Sequence, residues 1–500
     1  MTRISKSVII LASVLCSGCT IGPKYQRPAA PAPVSFKGVA GNDQWKMATP
    51  SDDLLKGNWW EMFGDPQLNR LEELVNVNNQ NVKLAEAQFR QARSLVLSAH
   101  ANYYPTIGTS PAITQSDVGK NTGRGSGGTS QSFSLPAIAS WEPDLWGRVR
   151  LSVENAVDNA QVSAADLENI RLSQHALLAT DYFLLSAQDM QMKILEGTIE
   201  AYQKNLDLTT NRYNGGVASK SDITLAQTQL AGAKASYTDL HIARAQDEHA
   251  IAMLTGQAPS ALDIGTSTIA NPPPPIPMGI PSQLLERRPD IAANERQVMA
   301  ANANVGIAQA AYYPTLTLSA SAGLLSTTMA NLFSFASRSW SAGPSLSQTL
   351  FDFGRRGASL QNAEAAYDGT VASYRETVLS AFQEVEDDLA SLRYLAEEAV
   401  QEQAAVEAAN QALALELERY RAGTDSYLNV ITTQIIALGD QQQAITILQR
   451  RMSAAVDLVK ALGGGWDAST LPSKDILRST TGTVTRSTGS GAGGGSKQRQ

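Results

Sequence analysis

The side chains able to do chemistry are few and poorly grouped for it. The four histidines, His100, His175, His241 and His249, show no pairing with carboxylates at helical spacing that would build a metal site, so structural roles are expected for them. Gly123, Gly125 and Gly128 satisfy GxGxxG by letter, yet they stand in GRGSGG between two strand candidates and open no helix. A surface hairpin loop is expected there rather than a phosphate cradle. The sequence contains no nucleophile elbow and no Walker motif, so no enzyme, cofactor or metal is expected, and any energy for work must come from a partner. Both cysteines, Cys16 and Cys19, lie in the first twenty residues, which excludes disulfides, thiolate catalysis and Cys-ligated metals from the rest of the chain.

Cys19 is the one position whose surroundings specify a reaction. Arg3 and Lys6 precede an apolar run from Val8 to Leu15 and then small residues, which reads as a signal peptide over 1–18, too short to span a bilayer. The run ends in LCSGCT, which resembles a bacterial lipobox; Gly18 and Cys19 fit, while Cys16 stands where that pattern prefers Leu. Cys19 is therefore the candidate lipid attachment, each buried methylene contributing about 0.8 kcal/mol to anchoring. Thr20, rather than Asp, fits the rule for transfer to the outer membrane. Beyond residue 19 no run of eighteen uninterrupted apolar residues exists, so any membrane crossing must be made by strands.

The elements that would surround such an anchor are set out by a duplication. Tyr103, Tyr104, Pro105 and Thr106 recur as Tyr312, Tyr313, Pro314 and Thr315; Gly147 and Arg148 as Gly354 and Arg355; Arg212 and Tyr213 as Arg419 and Tyr420; Gln227 as Gln434; Gly256 as Gly463. The chain divides into an anchored N-terminal segment over 19–67, a first repeat over 68–270, a proline-rich linker over 271–281, a second repeat over 282–471 and a tail over 472–500 with too little apolar content to fold. With 43% hydrophobic and 17% charged residues there is ample material for a core, and a net charge of −7 offers no footprint for nucleic acid.

Each repeat holds a long proline-free stretch, Asp144 to Ala258 and Ser345 to Leu471, broken once by glycine, at Gly215 and Gly216 and at Gly423. In the second stretch Val371, Tyr374, Val378, Ala381, Val385, Leu389 and Leu392 form a coiled-coil seam, with Glu376, Gln383, Glu384, Asp387 and Asp388 on the polar face. The prediction is a helix of about 63 residues (roughly 95 Å), a tight turn and a return helix of about 36. A further helix, near Leu68 to Asn102 and Ser282 to Ala311, is expected to stack end to end with each return helix beside the long one. Between the short and long helices, Thr315, Thr317, Ser319 and Ser321 alternate with Leu316, Leu318, Ala320 and Ala322; Ser339, Ser341, Ser345, Ser347 and Thr349 lie out of phase with Trp340, Ala342 and Leu346. Phe133, Leu135, Ala137, Ala139 and Trp141 likewise oppose Ser132, Ser134 and Ser140. Period-two segments with one apolar and one small polar face suit a membrane barrel. About four strands per chain cannot close one, so the chain must oligomerise, and three copies would give about twelve strands.

CTIGPKYQRP (Cys19 to Pro28), WWEMFGDPQLNRL (Trp59 to Leu71), PSQLLERRPDI (Pro281 to Ile291), AAYYPTLTL (Ala310 to Leu318) and RYRAGTDSYLNV (Arg419 to Val430) resemble hallmarks of the outer-membrane factor family, the TolC-like channels, nearest to its OprM/NodT lipoprotein branch. The resemblance implies a homotrimer with a twelve-stranded β-barrel in the outer membrane, an α-helical coiled-coil barrel across the periplasm, and a passive conduit for drugs or other small solutes. It also implies docking of the helical turns, at Tyr213, Gly215, Gly216, Asp222 and Gly423, to a periplasmic adaptor protein served by an inner-membrane RND pump. By the same resemblance Tyr420 is a latch and Leu428 a constricting residue of a periplasmic gate, while Asn429 and Thr432 occupy positions commonly held by aspartate. Asp425 in the second turn and Asp222, placed at the corresponding point of the first, are the remaining acids that could favour cations, or serve as plain turn and cap residues. The same architecture would suit type I protein secretion or metal export; a lipid-anchored coiled coil without a pore is the rival of another class.

Overall fold

The computed structural model describes residues 21–30, 33, 36, 57–118, 128–276 and 284–479. Cys19, the signal segment, the start of the GRGSGG loop and the end of the tail lie outside the described residues. Each repeat lays out the same series. In the first, α1 (Pro66–Asn78) and α2 (Gln80–Ala101) lead to strands β1 (Thr106–Thr109), β2 (Ala112–Val118) and β3 (Gly128–Trp141), then to the long helix α3 (Arg148–Asn214) and the return helix α4 (Lys220–Leu254). In the second, α5 (Leu284–Arg287) and α6 (Pro289–Ala310) precede β4 (Thr315–Ser326) and β5 (Arg338–Ser347), the long helix α7 (Arg355–Arg421) and the return helix α8 (Tyr427–Ala461); α9 (Lys474–Arg478) closes the described chain.

The long helices each run 67 residues and the return helices 35, close to the lengths read from the glycine breaks. Their starts are fixed by an aspartate and a left-handed glycine. The Asp144 carboxylate accepts from the amides of Val149 (3.0 Å) and Arg150 (2.9 Å), and Asp352 accepts from those of Gly354 (3.1 Å) and Arg356 (3.2 Å), satisfying N–H groups that a helix start leaves unpaired.

Where one short helix was expected in each repeat there are two, because both are interrupted. Asn79 leaves the helical conformation, and its Oδ1 accepts from the amides of Asn81 (2.9 Å) and Val82 (3.1 Å), the local competition that makes Asn a helix starter rather than an interior residue. In the second repeat Arg288 is extended because Pro289 follows it. Each break grips the end of a return helix. Asn79 Nδ2 donates to the Leu254 carbonyl at 2.8 Å, and the Arg288 guanidinium donates to the Ala461 carbonyl at 3.1 Å. The short and return helices are therefore stacked end to end, as their lengths suggest. A glycine permits the approach at each joint: a Cβ on Gly256 would lie 2.3 Å from the Asn78 carbonyl oxygen, and one on Gly463 2.0 Å from that of Arg287.

The strands form one antiparallel sheet. β1 and β2 pair with β3 in a single register interrupted at Ser110 and Pro111, so they act as one strand, and the sheet has the expected four positions. The repeats meet inside it, β3 against β4 from Phe133 opposite Ser326 to Trp141 opposite Leu318. Leu135, Ala137 and Ala139 stand opposite Leu324, Ala322 and Ala320, so the apolar faces read from the sequence coincide across the seam. Among the described residues the β1–β2 edge and the β5 edge pair with no other strand. Among the described residues no helix is long and apolar enough to cross a membrane.

The main core lies at the level of the helix breaks. There Trp59, Leu68, Leu71 and Val75 pack with Leu178, Tyr182 and Leu185 of α3, with Tyr374, Val378, Val385 and Leu389 of α7, and with Val456, Leu458 and Val459 of α8. The predicted seam of α7 is buried there, while Val371 and Leu392 flank it. His175 is structural, as expected: its ring stacks on Trp60 at 4.4 Å, and Nδ1 lies 2.6 Å from Glu72 Oε2. Burial pushes the Glu72 carboxyl well up and the His175 imidazole down to about 4, each toward its uncharged form. Asp388 departs from the polar-face reading. It is half-buried, and burial, then Asp457, Glu384 and Asp387, push its carboxyl up to about 7.

Two outcomes follow for stability. Gly463→Ala places a methyl against backbone at a φ of +90° and should cost about 3 kcal/mol or more, whereas Gly423→Ala, at φ +77° with its nearest neighbour 3.6 Å away on a flexible side chain, should cost about 1 kcal/mol; thermal unfolding followed by circular dichroism separates them. A raised carboxyl stabilises the fold fully below its unfolded pKa and loses that contribution as pH rises through its folded one. The wild type should therefore lose melting temperature between about pH 4 and pH 7 relative to Asp388→Asn, and a parallel pH profile for the two proteins would refute the assignment.

Candidate functional site: the paired helical turns

Both helix-to-helix turns end the long helix in the same way. At the first, Gly216 adopts φ +76°, and the amides of Gly216 and Val217 donate to the carbonyls of Tyr213 (2.9 Å) and Arg212 (2.9 Å). At the second, Gly423 adopts φ +77°, and the amides of Gly423 and Thr424 donate to the carbonyls of Tyr420 (3.0 Å) and Arg419 (3.0 Å). The left-handed glycine is what lets these last carbonyls find partners. Gly215 sits in ordinary space beside it and Tyr213 is 41% exposed, so the first turn presents an open surface.

The return helices start differently. Ser219 and Asp222 form a reciprocal capping box: Ser219 Oγ accepts from the Asp222 amide at 3.2 Å, and the Asp222 carboxylate accepts from the Ser219 amide at 2.9 Å. In the second turn Ser426 holds the cap position without using its side chain, and the residue three along is Asn429. Asn429, not Asp425, is therefore the structural counterpart of Asp222, which corrects the pairing of the two acids read from the sequence. Asp425 takes over the capping: its Oδ1 accepts from the Ser426 amide and from Asn429 Nδ2, each at 2.7 Å, and Oδ2 meets the Arg419 guanidinium at 3.1 Å. The Ser426 amide, with Asn429 and Arg419, holds this carboxyl below the usual range. Both acids thus serve as turn and cap residues, and Asp425 stays charged.

The two turns are held together by a contact that sequence reading assigned only half of. Tyr420 is buried, with Tyr427 beside it at 5.1 Å between ring centres, over Ala226, Val430 and Ile431. Its hydroxyl lies 3.2 Å from Thr209 Oγ1 of the first repeat. Arg212, also of the first repeat, lays its guanidinium over the Tyr420 ring at 4.6 Å and donates to the carbonyls of Tyr420 (2.7 Å) and Arg421 (3.1 Å). Arg212 was visible in the sequence only as a landmark of duplication, Tyr427 only as a member of the RYRAGTDSYLNV stretch, and Thr209 carried no signal. Burial and the neighbouring Tyr420 push the Tyr427 phenol up to about 12. Above it lies a half-open cleft of about 220 Å³, lined by Tyr202, Asn205, Leu417, Gln434 and Ala437.

Helix α8 buries Tyr427, Val430, Ile431 and Gln434 on this lock and turns a different stripe outward. Leu428 (58% exposed), Asn429 and Thr432 lie on it, with Ile435 and Ile436 continuing it as exposed apolar residues. The structure therefore separates the sequence-read gate residues: Tyr420 is inside the chain's own packing, while Leu428, Asn429 and Thr432 share one unpartnered face.

Residues 72–257 and 280–464 each match the family model described as outer membrane efflux protein, one match per repeat. The chain belongs to the outer membrane efflux protein family. Over 477 residues, which are 93% of this chain and 96% of each relative, it is 32% identical to the antibiotic efflux pump outer membrane protein ArpC and to the toluene efflux pump outer membrane protein TtgC, both of Pseudomonas putida. The outer-membrane channel OprN, a solved structure, superposes with a TM-score of 0.84 at 29% identity, covering 90% of this chain and all of that one. The chain is accordingly an outer-membrane channel subunit of an efflux system, of the trimeric TolC-like fold in which the four-stranded sheets of three copies close one barrel. In that family the members are channels, and the helical hairpins described above extend into the periplasm.

Removing the Arg212 side chain should loosen the turns without unfolding the molecule. For Arg212→Ala the amides of residues 420–427 should exchange with solvent more readily, by about 2 kcal/mol of local opening free energy, while those of the main core hold; hydrogen exchange read by mass spectrometry decides this, and unchanged exchange at the turns would show that the contact holds nothing.

Proposed function

We propose that the paired turns are the periplasmic gate and docking end of a passive duct, closed at rest by the Leu428, Asn429 and Thr432 faces of three copies and opened when partner helices pack against the tips. The observation that carries this is the Arg212–Tyr420 contact, which ties the two hairpins of one chain at their ends while α8 keeps an apolar stripe free. A contact of a few hydrogen bonds can be exchanged for others of similar worth, which is what a two-state element requires. Tyr213, Gly215, Gly216, Asp222 and Gly423 form the surface offered to a periplasmic adaptor served by an inner-membrane RND pump. Asp425, paired with Arg419, is the acid at the second turn; with Asn429 and Thr432 neutral, the mouth carries a weaker acidic ring than two aspartates would give.

The chain does no catalysis in this reading, and the repeats over 68–270 and 282–471 line the conduit. Relatives of equal identity are named for antibiotic and for toluene efflux, so the cargo class is drugs and other small solutes, chosen by the pump rather than by the duct. Acylation of Cys19 after loss of 1–18 fits the path of the N-terminal segment. The Ile21 amide lies 3.5 Å from the Trp146 carbonyl, at the junction of sheet and long helix, and the segment then runs toward the core with Asn302 Nδ2 donating to the Pro23 carbonyl at 3.0 Å and Arg27 paired to Glu295 at 3.0 Å.

Single-channel recording in planar bilayers tests the gate. Wild-type protein should show small discrete conductance steps, and Leu428→Ala and Arg212→Ala each larger ones; equal conductance in all three would remove the gate from these turns, and silence from inserted, oligomeric protein would favour the structural coiled coil without a pore.

A further inference from the structure

The strands contain a single cation, Arg338, and it stands on the apolar face. Residues directly opposite in an antiparallel register share a face, so Leu318, Ala322 and Leu324 of β4 lie level with Pro344, Trp340 and Arg338 of β5, and Leu135 of β3 extends the last row. The other face of β4 and β5 is serine, threonine and glycine apart from Leu325. In an outer-membrane barrel the apolar face meets lipid and the small polar face meets water. The helices attach at the far ends of β4 and β5, so the row of Arg338 is the extracellular one. From Leu316 to Leu324 the strand advances about 27 Å at 3.4 Å per residue, roughly 20 Å along the membrane normal at a tilt of about 40°, which puts Arg338 near the outer edge of an apolar band about 25 Å tall.

The surroundings of Arg338 are built rather than loose. Residues 327–337 fold on their own hydrogen bonds, Ser326 Oγ donating to the Thr328 carbonyl (2.8 Å) and Ser337 Oγ to the Asn331 carbonyl (2.7 Å), over a buried Leu332. This holds the Phe335 ring against the Arg338 guanidinium, 4.2 Å from the ring centre. The ring covers one face of the guanidinium and takes none of its N–H groups, and among the described residues no carboxylate or carbonyl accepts from them. Phe335 is 77% exposed and Trp340, one row deeper on the same face, 81%. Charge is uneven in the same direction: the chain carries −7 overall, yet the sequence over 110–134 and 324–340 holds three cations, Lys120, Arg124 and Arg338, against one acid, Asp117.

We propose that Arg338, backed by Phe335 and flanked by Trp340, binds the phosphate of an outer-leaflet lipid headgroup, one lipid per chain. A guanidinium offers a planar fork of N–H donors that matches two phosphate oxygens, and the ring behind it fixes the plane of that fork. Trp340, one row deeper, meets the lipid just below its headgroup, where an indole is favoured. A guanidinium at the edge of hydrocarbon is costly without a counter-ion, and the membrane surface supplies one. A free phosphate ion could meet the same fork but would leave the apolar flank bare, so the lipid is the occupant assigned. The rival counter-ion is Asp117 of the partner subunit, the single acid that a strand closing the β5 edge can bring to this level.

Native mass spectrometry of the full mature trimer in detergent tests this, with diphosphoryl lipid A, its dephosphorylated form and inorganic phosphate as probes. Wild type should retain diphosphoryl lipid A roughly tenfold more tightly than Arg338→Gln, with Arg338→Lys between them. Phe335→Leu, which keeps the charge, should lose about threefold. Asp117→Asn should leave retention at the wild-type level. Equal retention by wild type and Arg338→Gln, or equal retention of the two forms of lipid A, overturns the site. Displacement of lipid A by inorganic phosphate at equal concentration overturns the assignment to lipid. Arg338→Gln and Asp117→Asn that both leave retention unchanged and both lower the temperature at which trimers dissociate would give Arg338 to the partner's Asp117 and overturn the proposal. All four substitutions lie on exposed positions, and circular dichroism confirms that each variant is folded before it is scored.

Discussion

A strand at the edge of a sheet leaves alternate amides and carbonyls unpaired, and in hydrocarbon each such group costs several kcal/mol because no water is there to take the bond. The sheet of this chain has two such edges, on β1–β2 and on β5. The rest of the architecture answers that constraint. The edges must be closed by other copies, and a closed ring of hairpins places a ring of long helices beneath it. Each long helix, about 100 Å at 1.5 Å per residue, then needs a neighbour along its whole length. Two stacked shorter helices supply that neighbour, and the joint between them is where the protein spends its largest core.

Duplication solved the joint twice with different chemistry. In the first repeat a neutral asparagine both restarts its own helix and grips the Leu254 carbonyl. In the second an arginine grips Ala461 and is itself held by Asp290, bidentate with its shorter contact at 2.6 Å, and by Glu384 at 2.6 Å. A guanidinium so buried needs its carboxylates, whereas an amide needs only its acceptor. This accounts for Arg288 and Asp290 of the LLERRPDI stretch, which have no charged counterpart at Asn79. The glycines that follow, Gly256 and Gly463, are the invariant part of the joint because backbone approaches them within a methyl's radius.

Lengths and periods were legible in the sequence because they are set locally: the glycine breaks at Gly216 and Gly423 end the long helices within a few residues of where proline-free patterning places them, and alternation in Thr315 to Ala322 gives β4 its faces. What stayed hidden depends on partners far along the chain. Asn79 stands in VNVNNQNV among other asparagines, and only the Leu254 carbonyl distinguishes it. Asp388 looks like its exposed neighbours until Asp457 of the return helix is brought near it. At the turns Asp222 was read as the counterpart of Asp425, whereas its place three residues after the cap matches it to Asn429.

The lock at the tips has an uneven chemistry that suits a gate. Arg212 binds the last carbonyls of α7, the end of that helix where the peptide dipoles concentrate negative potential, so its attraction draws on backbone that any sequence would present. The ring of Tyr420 adds shape and a cation–π contact, while its hydroxyl meets Thr209. The polar tie between repeats is therefore carried mainly by one side chain of the first repeat acting on the main chain of the second, with Thr209 and Ala226 adding side-chain contacts to the tyrosine cluster. Moving that guanidinium removes two of its hydrogen bonds while Tyr420 and Tyr427 stay packed on Val430 and Ile431. A partner that offers Arg212 a carboxylate or another helix end replaces what it takes away, and the free-energy difference between closed and open then reduces to how well the exposed stripe of Leu428, Ile435 and Ile436 is covered in each state.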